Sequence, residues 1–373
     1  MTDEFMQYAD HLKNEKLFEL EEFYQKQLEN YRPDIQKNFN RICTTIVNLQ
    51  KKQLLGAISY LEYTLLFTNL IRAEETAEVR VYDKNWYFDP KQLIVGSFDF
   101  SFLFTKYREL KESLMSARKR FAGAVTAQET TAYLLTCASQ FYKYVVSSFR
   151  FSILPCVRSE PFLSIQRADE FEINIGEYMG HTEAVYKENR TRTSKETLDW
   201  FDMREEFDYA FEDFSGLDFS GADLSEIDLR YADLSNTTLT NTDFQDAMLF
   251  GTRFCHANLQ NADLRYCQMH EADFTGADLT NACFTATSAY RGVPNHAEWI
   301  ITGYRSLSFR DANLTNADFS RCSIHDADFT GAVMDGTIIE RNRLDQFALS
   351  AKQLKTITIT DADTDLDAAR KGV

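Results

Sequence analysis

Six histidines and seven cysteines are the residues of this 373-residue chain best suited to metal or nucleophilic chemistry. His11, His181, His256, His270, His296 and His325 form no HExxH or HxE arrangement, and none stands at a spacing from a cysteine that would gather ligands around one ion. The cysteines are odd in number and lack paired spacing, which fits a reducing compartment better than a disulfide framework. No glycine-rich phosphate loop and no GxSxG elbow is present. No catalytic, cofactor-binding or metal residue is expected, and an enzyme is expected only if an activity is hidden in residues 1–192. What remains is charge. The chain carries 57 acidic against 40 basic residues, a formal net charge of −17. From Phe207 to Arg341, 21 acidic residues face eight arginines and no lysine. That sign opposes a nucleic-acid backbone, so direct DNA or RNA binding is not expected.

The elements that position these charges follow a period of five. Every fifth residue from Phe214 to Phe284 is Leu, Phe or Met, and the phase resumes from Phe309 to Ile339, giving 22 centre positions without a polar exception. Five is neither the period of a helix nor that of a strand. Short fixed repeats indicate a solenoid, in which each unit buries its apolar side chain by stacking on its neighbours. The expected core comprises Leu224, Leu229, Leu234, Leu239, Phe244, Leu249, Phe254, Leu259, Leu264, Met269, Phe274, Leu279, Phe284, Phe309, Leu314, Phe319, Ile324 and Phe329. With the centre called i, position i−2 is Ala, Thr or Cys in 18 of the 22 units, so a small side chain also faces inward. Position i−1 is Asp or Asn in 13, which suits a turn closed by a short side chain on backbone N–H groups.

Units such as Ala222-Asp223-Leu224-Ser225-Glu226 and Ala277-Asp278-Leu279-Thr280-Asn281 resemble the pentapeptide-repeat family, over residues 212–341. The resemblance implies a right-handed, four-sided β-helix with four pentads per coil, rising about 4.8 Å per coil to a rod of roughly 30 Å. Residues 287–306 interrupt the pattern without losing its phase. They are read as one degenerate coil with a bulge at Arg291–His296, the alternative being a plain insertion loop. Upstream, Thr193 and Glu196 have capping-box spacing ahead of Leu198, Trp200, Met203, Phe207 and Phe211, so 193–211 reads as a linker and N-capping helix. Downstream, residues 342–373 read as a C-terminal capping helix, with Ser350 as an internal cap, and a tail.

Residues 1–192 read as a mainly α-helical domain with a small β-hairpin, making the whole an α+β multidomain chain. Helices are expected from Phe5 to about Pro33, from Ile35 to Ile46, and through Leu54, Ile58, Leu61, Leu65 and Leu70. Val79–Tyr82 and Trp86–Phe88 would flank the hairpin turn, with the aromatic run on its core face. Further helices are expected around Tyr107–Met115 and after Thr126…Glu129, and a strand at Phe171–Ile175.

The chain lacks a signal-peptide pattern at its start and a long uninterrupted apolar run, so a cytoplasmic location without a membrane span is expected. Two classes of function stay open. One is a non-enzymatic interaction or scaffold protein presenting an acidic rod to a protein partner, homodimerisation included. The other is implied by the resemblance: a DNA mimic acting on gyrase or a related type II topoisomerase. The candidate partner surface is Glu226, Asp246, Glu271, Arg291, Asn295, His296, Asp311 and Asp326. Much of the remaining acidity lies at i−1, where the turn itself requires Asp. Histidines of the repeat are expected at the surface.

Overall fold

A computed structural model describes residues 2–88, 93–121, 123–205, 208–289 and 305–361. The chain divides into two compact units, Met1–Arg190 and Thr191–Val373.

The first unit packs helices on a five-stranded mixed sheet. Helix α1 (Asp3–Lys51) is followed by β1 (Ile58–Leu65), α2 (Phe67–Leu70), β2 (Thr76–Tyr82), β3 (Leu93–Asp99), α3 (Thr105–Ala117), α4 (Ala127–Ile153), α5 (Glu160–Leu163), β4 (Arg167–Glu177) and β5 (Thr182–Asn189). The strand order is β3-β2-β1-β4-β5, with β1 and β4 parallel and the other neighbours antiparallel. Thr126 starts α4 with a reciprocal capping box to Glu129, which satisfies two backbone donors at the helix start.

Three sequence expectations fail in this unit. Helix α1 does not end near Pro33 but runs through it. Leu28, Ile35 and Phe39 are buried on both sides of the proline, so a continuous apolar stripe outweighs the lost backbone bond. The helix expected through Leu54, Ile58, Leu61, Leu65 and Leu70 is strand β1 and the short α2. Seven of the eight β1 residues are buried, and a segment covered on both faces has no alternation to distinguish it from a helix. The hairpin is also misplaced: β2 pairs with β1 and β3, while Trp86–Phe88 forms a single 3-10 turn. Trp86 is drawn out of a strand register by tertiary contacts, donating to Glu62 Oε1 (2.6 Å) and stacking on Tyr60 at 5.2 Å. Phe88 is exposed rather than on a core face.

In the second unit α6 (Ser194–Phe201) opens on the Thr193–Glu196 capping box. It stops at Phe201, short of the expected run; Phe207 lies outside the described residues. Phe201 and Tyr209 are buried in the same apolar cluster as Phe214 and Phe219, with the Phe201 ring 5.1 Å and 5.3 Å from those two.

The repeats then form a parallel ladder. Asp213 bridges Asp233, Asp218 bridges Thr238, Asp223 bridges Asp243 and Asp228 bridges Met248, so one coil takes twenty residues and four pentads. Each rung is bonded in both directions: Leu224 N–H donates to Asp243 C=O (2.7 Å), and Asp243 N–H to Ala222 C=O (2.9 Å). All eighteen expected core residues are buried. One column stacks Phe254, Phe274, Phe309 and Phe329 nearly face to face at 4.8, 5.1 and 5.2 Å. Most polar i−2 residues give their hydrogen to a neighbouring coil, as Thr242 Oγ1 does to Phe219 O (3.0 Å) and Cys267 Sγ to Phe244 O (2.9 Å), while Thr237 Oγ1 bonds Leu234 O (2.6 Å) in its own coil. That bond permits Thr or Cys where most units have Ala.

The full-coil reading of 287–306 is overturned. Asp273 bridges Ser308, Asp278 bridges Asn313 and Cys283 bridges Asp318, an interval of 35 instead of 20. Ser288-Ala289 pairs with Ser323-Ile324 at the same interval. The excess is fifteen residues, three pentads, so the phase survives although no coil is inserted. Residues 290–304, with Arg291, Asn295 and His296 among them, lie outside the described residues.

The C-terminal capping helix is likewise not found among the described residues. Arg341–Gln346 and Gln353–Lys355 are 3-10 turns, and Thr358–Thr360 lies parallel to Ile338–Glu340 in the ladder register. The twenty-residue interval from Ile338 to Thr358 shows why: the chain is still in phase and lays one more rung.

Candidate interaction surface

The described surface of the rod is built from three outward positions. Where i−1 is Asp or Asn, its side chain can close the turn: Asp218 Oδ1 accepts from Ser220 N–H (3.0 Å), Asp223 from Ser225 (3.0 Å), Asp243 from Gln245 (2.9 Å) and Asp318 from Ser320 (2.9 Å). Hydrogen bonds from the Ser220 and Ser225 hydroxyls and N–H groups hold the Asp218 and Asp223 carboxyls below their ordinary value. Burial pushes the Asp278 and Asp328 carboxyls up, yet bonds headed by those from Thr280 and Thr330 leave both lowered. Several of these carboxylates also face arginine, as in Arg230–Asp228 (2.6 Å), Arg253–Asp233 (3.1 Å), Arg265–Asp263 (2.6 Å) and Arg310–Asp328 (2.9 Å). Most of the acidity at i−1 is thus engaged in the rod itself.

Position i+2 is the corner of each unit, and its backbone is left-handed throughout. From Gly216 to Ala286 and from Asp311 to Gly336, every i+2 residue has φ between 56° and 77°. Asn, Asp and Gly reach this region at least cost. The candidate residues Glu226, Asp246, Glu271, Asp311 and Asp326 all occupy such corners. The ladder sets them in three columns: Glu226 above Asp246, Glu271 with Asp326, and Asp311 apart. They do not form one stripe. Glu271 is half-buried, accepting from Tyr231 Oη (3.4 Å) and from the Arg305 backbone N–H. Glu226, Asp246, Asp311 and Asp326 are exposed.

A fourth column carries residues absent from the expected surface. Asn261 Nδ2 donates to Asn241 Oδ1 (3.3 Å), Asn281 Nδ2 to Asn261 Oδ1 (3.0 Å) and Asn316 Nδ2 to Asn281 Oδ1 (3.2 Å). The result is an exposed amide ladder that crosses the fifteen-residue excess without a break. Beside it Gln260 Nε2 reaches Asp278 Oδ2 (2.7 Å) and Asn313 Nδ2 reaches Thr280 Oγ1 (2.9 Å). Asn at i+2, recurring every twenty residues, was the available signal; it emerges only once the coil length is known.

The described histidines of the rod differ in burial. His256 and His325 are exposed, but His270 is buried with its ring 4.9 Å from Phe250, correcting its expected surface position. Burial pushes the Cys267 thiol up, and the Cys322 thiol to about 12. Among the described residues no three His, Cys, Asp or Glu side chains group as a metal site. No described helix is long and apolar enough to cross a membrane.

Comparison with protein families matches Pentapeptide repeats, in eight copies, over residues 218–255, 253–288 and 306–341. No curated protein matches the chain. Among solved structures, trypsin-treated QnrB1, a plasmid-mediated fluoroquinolone resistance protein, is 16% identical, covering 44% of this chain and 91% of that one at a TM-score of 0.22. HetL, a pentapeptide repeat protein involved in heterocyst differentiation regulation from the cyanobacterium Nostoc, is 22% identical over 35% of this chain and 77% of its own, at a TM-score of 0.14. A pentapeptide repeat protein from the Arabidopsis thaliana thylakoid lumen is 24% identical over 43% and 89%, also at 0.14. The repeats of the C-terminal region, within residues 218–341, match the pentapeptide-repeat family.

Proposed function

We propose that the chain is a non-enzymatic interaction protein whose right-handed, four-sided rod presents fixed side-chain columns to a protein partner. The ladder carries this reading. Its inward positions are filled by side chains that are almost fully buried, so recognition falls to the outside. Outside, each corner repeats at the coil spacing of about 4.8 Å, which holds side chains in place at little further ordering cost. The corners Glu226, Asp246, Asp311 and Asp326 are the charged groups best displayed for a basic partner. The test is a pull-down with the full chain and with Glu226→Lys/Asp246→Lys, followed by binding of the purified partner. Loss of binding at unchanged melting temperature supports the surface; a partner that binds parent and variant alike removes those corners from it.

The topoisomerase reading rests on one observation, the column Asp223, Asp243 and Asp263 on a single face. Two of its three carboxylates pair with Arg204 and Arg265, and the next position is Cys283, so the stripe is short. A supercoiling assay decides this reading: a protein that neither inhibits gyrase nor protects it from a quinolone is not a DNA mimic of that enzyme.

A further inference from the structure

The ladder ends in phase, and side chains take over from the backbone. Inside the rod the i−1 carbonyl accepts from the N–H nineteen residues earlier, as Leu224 N–H donates to Asp243 C=O (2.7 Å). The i+1 carbonyl does the same, as Glu226 N–H donates to Gln245 C=O (2.7 Å). For Asp223 and Ser225 in the first coil, those donors would belong to residues 204 and 206. Arg204 supplies both bonds from its guanidinium instead: Nη2 donates to Asp223 O (2.9 Å) and Nη1 to Ser225 O. Its own backbone sits in the left-handed region at φ 53°. On the neighbouring face Ser194 Oγ accepts from Asp218 N–H (2.9 Å).

The other end repeats the logic. The i−2 carbonyl normally accepts from the N–H 21 residues later, as Ala312 C=O does from Val333 (2.9 Å). For Ala332 that residue is Gln353, and it is the side-chain Nε2 that donates, to Ala332 O (3.1 Å) and to Phe329 O (2.8 Å). Gln353 Oε1 accepts from Ser350 N–H (2.9 Å) and Oγ (2.7 Å). The side-chain amide thereby stands where the next coil would place a peptide group.

We propose that Arg204 and Gln353 are the terminators of the ladder, and that Arg204 keeps the first-coil edge from accepting a β-strand of a second copy of this chain. Two carbonyls at ladder spacing form an edge that any strand in this register could pair with, and the rod is made of such strands. A planar fork covers both carbonyls at once, which a single ammonium cannot.

The test uses the full chain. Arg204→Ala is expected to associate on raising protein concentration in sedimentation velocity, where the parent does not grow beyond its own state. Its Leu224 and Glu226 amides should exchange about tenfold faster. A folded variant with parent-like mass at every concentration overturns the guarding role, and unchanged exchange overturns the terminator role. Should Arg204→Ala lose its circular dichroism, Arg204→Lys decides, because it keeps the charge and loses the fork. Asp223→Asn keeps the fork and loses the ion pair, so it should not associate; association of that variant would assign the effect to charge and overturn the proposal. Gln353→Glu sets an acceptor against two carbonyls and should speed exchange at Thr358; unchanged exchange there overturns the C-terminal half.

Discussion

Replacing Phe274 by alanine strikes the rod where its coils rejoin across the fifteen-residue excess. Phe274 is fully buried, lies 4.8 Å from Phe254 at 4° and 5.1 Å from Phe309 at 11°, and meets Phe284 edge-on at 6.0 Å. Its N–H donates to Ser308 C=O (2.8 Å), the first rung across the excess. Truncating a buried Phe costs about 3–5 kcal/mol through lost transfer energy and the cavity left behind. Each aromatic pair contributes about 0.5–1.5 kcal/mol beyond area, so a ring sandwiched between two others belongs at the upper end of that range. Because each coil touches only its neighbours, the loss falls on both interfaces of one coil. Against a total of about 5–15 kcal/mol, it removes a third or more of the stability. Urea unfolding of the full chain measures it, with the rod's transition assigned by exchange of the Phe274 and Leu279 amides. Phe274→Leu keeps much of the volume and should cost about 1–1.5 kcal/mol. A loss below about 1 kcal/mol for Phe274→Ala would mean that the stack is not a continuous core, refuting the reasoning.

Deleting residues 290–304 restores a twenty-residue interval between Asp273 and Ser308, so the shortened chain should fold with an unchanged or higher melting temperature; loss of the ladder's circular dichroism would contradict the register. At Gly251 (φ 62°) an added Cβ would lie 2.3 Å from the Tyr231 ring, so Gly251→Ala should cost about 1–2 kcal/mol from backbone strain alone, and an unchanged urea midpoint would refute the left-handed corner. Asp218 and Asp223 have carboxyls depressed by hydrogen bonds, so their contribution is complete above the ordinary value near 3.8 and is lost as pH falls through the depressed folded values. Ser220→Ala/Ser225→Ala should therefore lose less melting temperature than the parent between pH 5 and pH 2; parallel profiles would exclude the linkage.

What the sequence determined by itself is the rod. A period of five with no polar exception at the centre leaves no helix or strand to compete, because each unit can bury its apolar side chain only by stacking. The i−1 aspartates were legible too, since an Asx bond is local and needs no knowledge of neighbouring coils. Capping boxes at Thr126 and Thr193 were readable for the same reason. Tertiary structure decided what depends on the coil as a whole. The fifteen-residue excess mimics a coil in sequence because it too is a multiple of five, and only the pairing of Asp273 with Ser308 separates the two. The corner residues gain meaning from a left-handed backbone and from neighbours twenty residues away, which bring Asn241, Asn261, Asn281 and Asn316 into one ladder and divide the acidic corners among three columns. In the first unit, β1 buried on both faces erased the alternation that would have identified it, and Pro33 was carried inside a helix by packing. Local bonding is written in neighbouring residues; burial and stacking are contributed by residues far away in the chain, and those the fold alone brings together.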